Sequence, residues 1–264
     1  MTLALILGVL VGAVLGLTGA GGGILAVPAL VNGLGWTVHE AAPVALIAVA
    51  SGATVGALEG FRHGLVRYRA ALLIALCAMP MTFVGSWLAV RVSAHWLAGL
   101  FGCVMLIVAW RAWSNASRQR DQPQHAARCQ VDPVTGRLIW TPLTLLLVAQ
   151  VGVLTGLLTG LLGVGGGFVI VPALRRLTNL PLQSIVATSL LVIALTGISG
   201  VLSTLIHGGQ LPTAVLWPFL GALVLGMVPG RILAARLSGW MIQRGFALMV
   251  LLVAGSMLWR ATGL

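Results

Sequence analysis

"GAGGGILAVPAL" occupies residues 19–30, and "GVGGGFVIVPAL" occupies residues 163–174. Eight of the twelve positions are identical, among them Gly21/Gly165, Gly22/Gly166, Gly23/Gly167 and Pro28/Pro172. Successive glycines weaken a helix, because glycine loses more backbone freedom on ordering than any other residue. An apolar stretch that carries the same penalty twice, at matched positions, uses the glycines for something.

The surroundings say what kind of chain this is. Of its 264 residues 59% are hydrophobic and 7% charged, too little polar surface for a soluble domain. Residues 41–58, 70–90, 95–113, 184–206, 212–235 and 242–259 are apolar runs of about the length that crosses ~30 Å of hydrocarbon. Nothing alternates with period two, which excludes a β-barrel. The fold class is therefore an all-α polytopic membrane protein.

The net charge of +11 comes from 15 arginines without a lysine. They lie between the apolar runs, which is the pattern of membrane anchoring and not of nucleic-acid binding. The first apolar segment recurs at 163–174, so it reads as a working part of the protein and not as a signal peptide. Cys77 and Cys103 lie in apolar runs and Cys129 in a polar loop, with no Cys/His cluster. Neither a disulfide framework nor a metal site is expected. No paired carboxylates and no Ser/His/Asp set point to an enzyme. A dinucleotide cofactor is not expected either, since Ile24 and Phe168 stand where that fingerprint needs its third glycine.

A polar linker, 114–141, separates a first repeat, 1–113, from a second, 142–264. A shift of 144 superposes Gly12 on Gly156, Gly16 on Gly160, Gly56 on Gly200 and His63-Gly64 on His207-Gly208. A shift of 145 then pairs Arg91 with Arg236 and Phe101 with Phe246. Such shared spacing marks an internal repeat.

Each half has one glycine-interrupted segment followed by three uninterrupted spans. If the interrupted segments cross the membrane, there are eight spans (4+4) and the arginines divide nine against six. If they enter and turn back at the glycines, only Arg91 and Arg260 lie on one face and the other 13 on the opposite face. Charge bias favours the second arrangement, with both termini outward. Three spans per half also make the repeats inverted, a frequent transporter design.

A helix breaks inside a membrane only where protein or a watery cavity shelters it. The break frees N–H groups at the start of the second half-helix, near Gly22 to Leu25 and Gly166 to Val169, and these suit an anion. The candidate substrate-binding residues are Gly21, Gly22, Gly23 and Ile24 in one copy, and Gly165, Gly166, Gly167 and Phe168 in the other. Pro28 and Pro172 fall where an early-turn proline is tolerated. The competing explanation is that the glycines only permit close helix packing, as in a membrane scaffold or assembly factor.

Thr18, Ser51, Thr54, Thr196 and Ser199 offer hydroxyls, although such groups usually bond their own helix carbonyls. Thr188 and Ser189, in "ATSL" after the second break, are favoured as substrate contacts; the first copy has Val44 and Ala45 there. Glu59, His63 and His207 are candidates for gating or coupling. With so few acids an intramembrane carboxylate relay is hard to build.

The doubled "GxGGGxxxxPAL" segment, each copy followed by an apolar helix and a His-Gly turn, resembles the TauE/SafE family of sulfite exporters. That resemblance implies movement of sulfur-containing anions (sulfite, sulfonates or thiosulfate) across the bacterial inner membrane. The expected partners are a small anion and the lipid bilayer, with no nucleic acid. Export is the expected direction, because an inside-negative membrane contributes ~2.3 kcal/mol per charge per 100 mV to an anion leaving the cell.

Overall fold

Local signals set the helix boundaries. Thr37 caps α3 (Val38–Arg62) in a capping box, its side chain accepting from the Glu40 N–H while Glu40 reaches back to the Thr37 N–H. Thr141 caps α6 (Pro142–Leu162), with proline at the first helical position. Gly163 ends α6 in the left-handed region at φ 69°, and Gly35 ends α2 (Ala26–Leu34) likewise at φ 72°. The other helices are α1 (Thr2–Thr18), α4 (Tyr68–Arg91), α5 (Ala94–Arg118), α7 (Gly167–Leu177), α8 (Leu182–Ile206), α9 (Thr213–Arg236) and α10 (Gly239–Ala261). The computed structural model describes residues 2–118, 140–206 and 212–261, and among them there is no strand.

Among the described residues seven helices are long and apolar enough to cross a membrane: α3, α4, α5, α6, α8, α9 and α10. Glycine contacts fix how they run. Gly56 meets Leu190 and Gly60 meets Ala187, while Gly197 meets Ala50 and Gly200 meets Leu46, so α3 and α8 are antiparallel. Gly99 faces Ala261 and Gly102 faces Leu258, so α5 and α10 are antiparallel too. Equivalent helices of the two halves thus point in opposite directions, as an inverted pair requires.

The interrupted segments turn back. Gly22 lies on the backbone of Leu15, and Gly33 lies against Leu7, so α2 retraces α1. In the second copy Gly166 lies beside Thr155 and Thr159, and Ile170 and Leu174 cluster with Val148 and Val151 of α6. Although α6 has the length of a span, α7 returns to the face where α6 began. The eight-span alternative is therefore not the arrangement adopted, because each return arm packs antiparallel to its own entering arm.

The entering arms are clamped by glycine. A Cβ at Gly12 would overlap the Leu223 carbonyl of α9, and one at Gly156 would overlap the Ala78 carbonyl of α4. Large side chains elsewhere face outward: Leu76, Leu225 and Leu252 are 65%, 72% and 70% exposed. In water that would be an aggregation surface; against lipid it is the proper solvent-facing side.

Following the helices through, Arg62, Arg67, Arg69, Arg111, Arg175, Arg176, Arg231, Arg236 and Arg244 belong to one face, and Arg91 and Arg260 to the other. The positive-inside rule predicts that the first face is the cytoplasmic one, with the start of α1 and the end of α10 on the outer face.

Two outcomes check this arrangement. In a chain without native cysteines, Thr2→Cys should react with an impermeant thiol reagent from outside and Ser238→Cys should not; the reverse pattern would invert the topology. Gly12→Leu or Gly156→Leu should lower stability by about 1–3 kcal/mol or prevent assembly, as overpacking does. Gly221→Ala should cause no loss in the same thermal unfolding measurement in detergent, since a Cβ there meets nothing within 4 Å and alanine favours the helix.

Candidate functional site

The two glycine triplets meet half-way along α3 and α8. Gly23 packs on Val49 of α3 and faces the Val164 carbonyl, while Gly165 packs on Ile193 of α8 and approaches Val49. Val49 and Ile193 are repeat equivalents, so the breaks lie on either side of one pseudo-twofold centre. Both are sheltered by protein: Ile24 is 1% exposed and Phe168 6%. That burial satisfies the condition under which a membrane helix can break.

Their backbones differ. The first break is a 3₁₀ helix, Gly19–Leu25, whose N–H groups find partners three residues back, and it passes directly into α2, with the Ala26 N–H donating to the Gly23 carbonyl. The second break is open. Gly165 and Gly166 take φ values of 73° and 69°, and Gly166 caps α7 without any side-chain cap. Val169 and Ile170 both donate to the Gly166 carbonyl, which removes Val169 from the expected free donors and leaves the N–H groups of Gly167 and Phe168 without backbone partners. Pro28 is an early-turn residue of α2, as expected. Pro172, by contrast, is the sixth residue of α7 and so lies inside the helix, because α7 starts at Gly167.

Two cavities approach the breaks from opposite faces. On the cytoplasmic side a cavity of about 540 Å³ is lined by Thr18 and Gly21 of the first break region and by Phe168 and Val169 of α7. Arg111, Arg175 and Gln243 also line it, and no acid does. Next to Gln243, the Arg244 guanidinium stacks over Trp240 at 4.2 Å and near Trp113 at 5.3 Å. On the outer side a pocket of about 180 Å³ is lined by His39, Ala42, Ser86, Ser203, Thr159 and Gly163, among others.

The remaining candidates fall in different places. Thr188 donates to the Ser184 carbonyl at 2.6 Å and accepts the Arg67 N–H at 3.0 Å, tying the α3–α4 loop to α8. Ser189 donates to the Val186 carbonyl. Thr18, Ser51, Thr54, Thr196 and Ser199 all donate to carbonyls of their own helices, as expected. Glu59 forms an ion pair with Arg231 of α9, and His63 Nδ1 lies 2.9 Å from the Glu59 carbonyl at the end of α3. His207 lies outside the described residues. At the repeat-equivalent position on the outer face, Ser203 of α8 and Ser86 of α4 share a short hydroxyl–hydroxyl bond.

Two residues that sequence reasoning passed over stand out. Thr155 and Thr159 of α6 are completely buried, and neither hydroxyl has a partner. Only their position is visible in the sequence: they lie one turn apart just before the break, where the first copy has Val11 and Leu15.

A model of the sulfite exporter TauE/SafE family matches residues 4–257. The chain belongs to that family. It is 32% identical over 261 residues to a "Probable membrane transporter protein" of Xylella fastidiosa (strain 9a5c), covering 96% of this chain and 93% of the relative. It is 26% identical to "Probable membrane transporter protein YunE" of Bacillus subtilis (strain 168), covering 88% and 86%, respectively. "Probable membrane transporter protein MJ0441" of Methanocaldococcus jannaschii is 29% identical over 78% of this chain and 72% of its own length. No solved structure matches. As a TauE/SafE member the protein is a multi-pass membrane transporter.

Because the Thr188 hydroxyl receives a backbone N–H from another helix connection, Thr188→Val should cost about 1–2 kcal/mol of stability. Thermal unfolding in detergent would show the loss, while the Ser189→Ala variant, missing only a local bond, should stay within about 0.5 kcal/mol of the parent.

Proposed function

We propose that this transporter exports small sulfur-containing oxyanions across the inner membrane, holding them where the two glycine-broken half-helices meet. The observation that carries the reading is the cytoplasmic cavity: arginines at its mouth, no acid in its wall, and the two breaks at its end. Such a mouth concentrates anions and repels cations. The glycines there, Gly21 to Gly23 and Gly165 to Gly167, give a small ion access to backbone that side chains would cover. Membership in the sulfite exporter family supports sulfur as the central atom.

Energetics support export without a coupled ion. A divalent anion leaving an inside-negative cell gains about 4.6 kcal/mol at 100 mV, enough for a gradient of roughly a thousandfold. Import would need cations, yet Glu59, in the last turn of α3, is already paired with Arg231. The larger cavity on the cytoplasmic side fits a carrier resting open to its source of substrate.

In proteoliposomes at symmetric pH without sodium, an imposed potential should drive sulfite flux, and reversing its sign should reverse the flux. A requirement for a proton or sodium gradient, with indifference to voltage, would contradict this reading. A non-transporting scaffold would show no flux and no stabilisation by any sulfur anion. The arginine pair gives a second check: Arg111→Gln with Arg175→Gln should raise KM several-fold, leave kcat within twofold, and flatten the fall of kcat/KM with ionic strength.

A further inference from the structure

Among the buried threonines, Thr82, Thr178, Thr188 and Thr196 donate to carbonyls four residues back, and Thr144 bonds Thr141. Only Thr155 and Thr159 break the habit. Both are fully buried and unpartnered, one turn apart on α6 and therefore on one face of it. That face is turned to the start of α7: the Thr159 hydroxyl oxygen lies 3.0 Å from where a Cβ on Gly166 would stand, and the Thr155 methyl fills the same space. The two residues that follow Gly166, Gly167 and Phe168, carry the N–H groups that begin α7 without a backbone partner.

We propose that the Thr159 hydroxyl and these two amides form one seat for the transported oxyanion, with Thr159 as its specificity-determining residue and the Thr155 methyl packed against Gly166 beside it. The proposal rests on the anion-transport reading above and assigns it to one of the two breaks. The first break lacks the equivalent donors, since Val11 and Leu15 replace the threonines and its 3₁₀ backbone is already bonded. Access exists from both faces: Thr159 and Gly163 line the outer pocket, and Phe168 and Val169 line the cytoplasmic cavity.

The chemistry of the seat defines its ligand class. No carboxylate lines either cavity. Amide N–H groups can only donate, and hydroxyls pointed at an anion donate as well. A seat of amide and hydroxyl donors without a carboxylate satisfies an oxyanion whose oxygens all accept, such as sulfite, sulfate or thiosulfate.

The test compares Thr159→Val, Thr159→Ser and Thr155→Val with the parent in sodium sulfite. Thr159→Val should raise the sulfite KM at least tenfold and abolish thermal stabilisation by sulfite, while Thr159→Ser, which keeps the hydroxyl, and Thr155→Val, which keeps the packed methyl, stay within threefold. Without ligand, the valine variants should unfold at or above the parent temperature, because an apolar group replaces an unpaired buried hydroxyl. A Thr159→Val variant with parental KM and stabilisation would overturn the seat and leave the transport reading standing. A parent neither stabilised by nor moving sulfite, thiosulfate or a sulfonate would overturn both.

Discussion

A peptide group in hydrocarbon must be hydrogen-bonded, and water is not there to do it. Every feature of this fold answers to that constraint. The chain breaks two helices in the middle of the bundle, so both breaks have to be enclosed. Antiparallel α3 and α8 provide the enclosure, with Val49 and Ile193 packed against the triplets. The entering arms α1 and α6 press against α9 and α4 through glycines that bring backbone to backbone. The glycine content that looks permissive in the sequence is therefore divided between two jobs. Gly12 and Gly156 permit close approach, whereas Gly165 and Gly166 supply positive φ.

The inverted arrangement gives two similar half-sites, and the side chains then make them unlike. On the cytoplasmic face α3 and α9 are joined by the Glu59–Arg231 ion pair. The equivalent contact of α8 with α4 on the outer face is the Ser203–Ser86 hydroxyl pair. Likewise Val11 and Leu15 face a bonded 3₁₀ turn, while Thr155 and Thr159 face an open helix start. A symmetric backbone suits access from two sides. One set of donors suits a single ligand passing between them.

Much of this was legible in the sequence. The arginine placement picked out the turning-back arrangement before any contact was known, because charge bias reports which loops share a face. The solitary hydroxyls of Ser51, Thr54 and Thr196 bond within their helices as their residue types suggest. The difference between the two breaks was not legible. Both copies carry the same triplet, and only tertiary packing distinguishes a Gly22 laid on the Leu15 backbone from a Gly166 beside Thr155 and Thr159. Thr188 and Ser189 drew attention through their place after the break, yet their hydroxyls already bond Ser184 and Val186. Thr155 and Thr159 stayed hidden because threonine in a helix ordinarily bonds the carbonyl four residues back, and pattern alone does not reveal the exception.

The central claim is that an anion binds at the unbonded amides where α7 begins. The chain has only six phenylalanines, so selective 15N-phenylalanine labelling gives a spectrum with few backbone signals to assign. Titrating the labelled protein with sodium sulfite should move the Phe168 amide resonance downfield in a saturable way, with the other five nearly still. A Phe168 signal unmoved at sulfite concentrations that saturate transport would place the anion elsewhere and contradict the account.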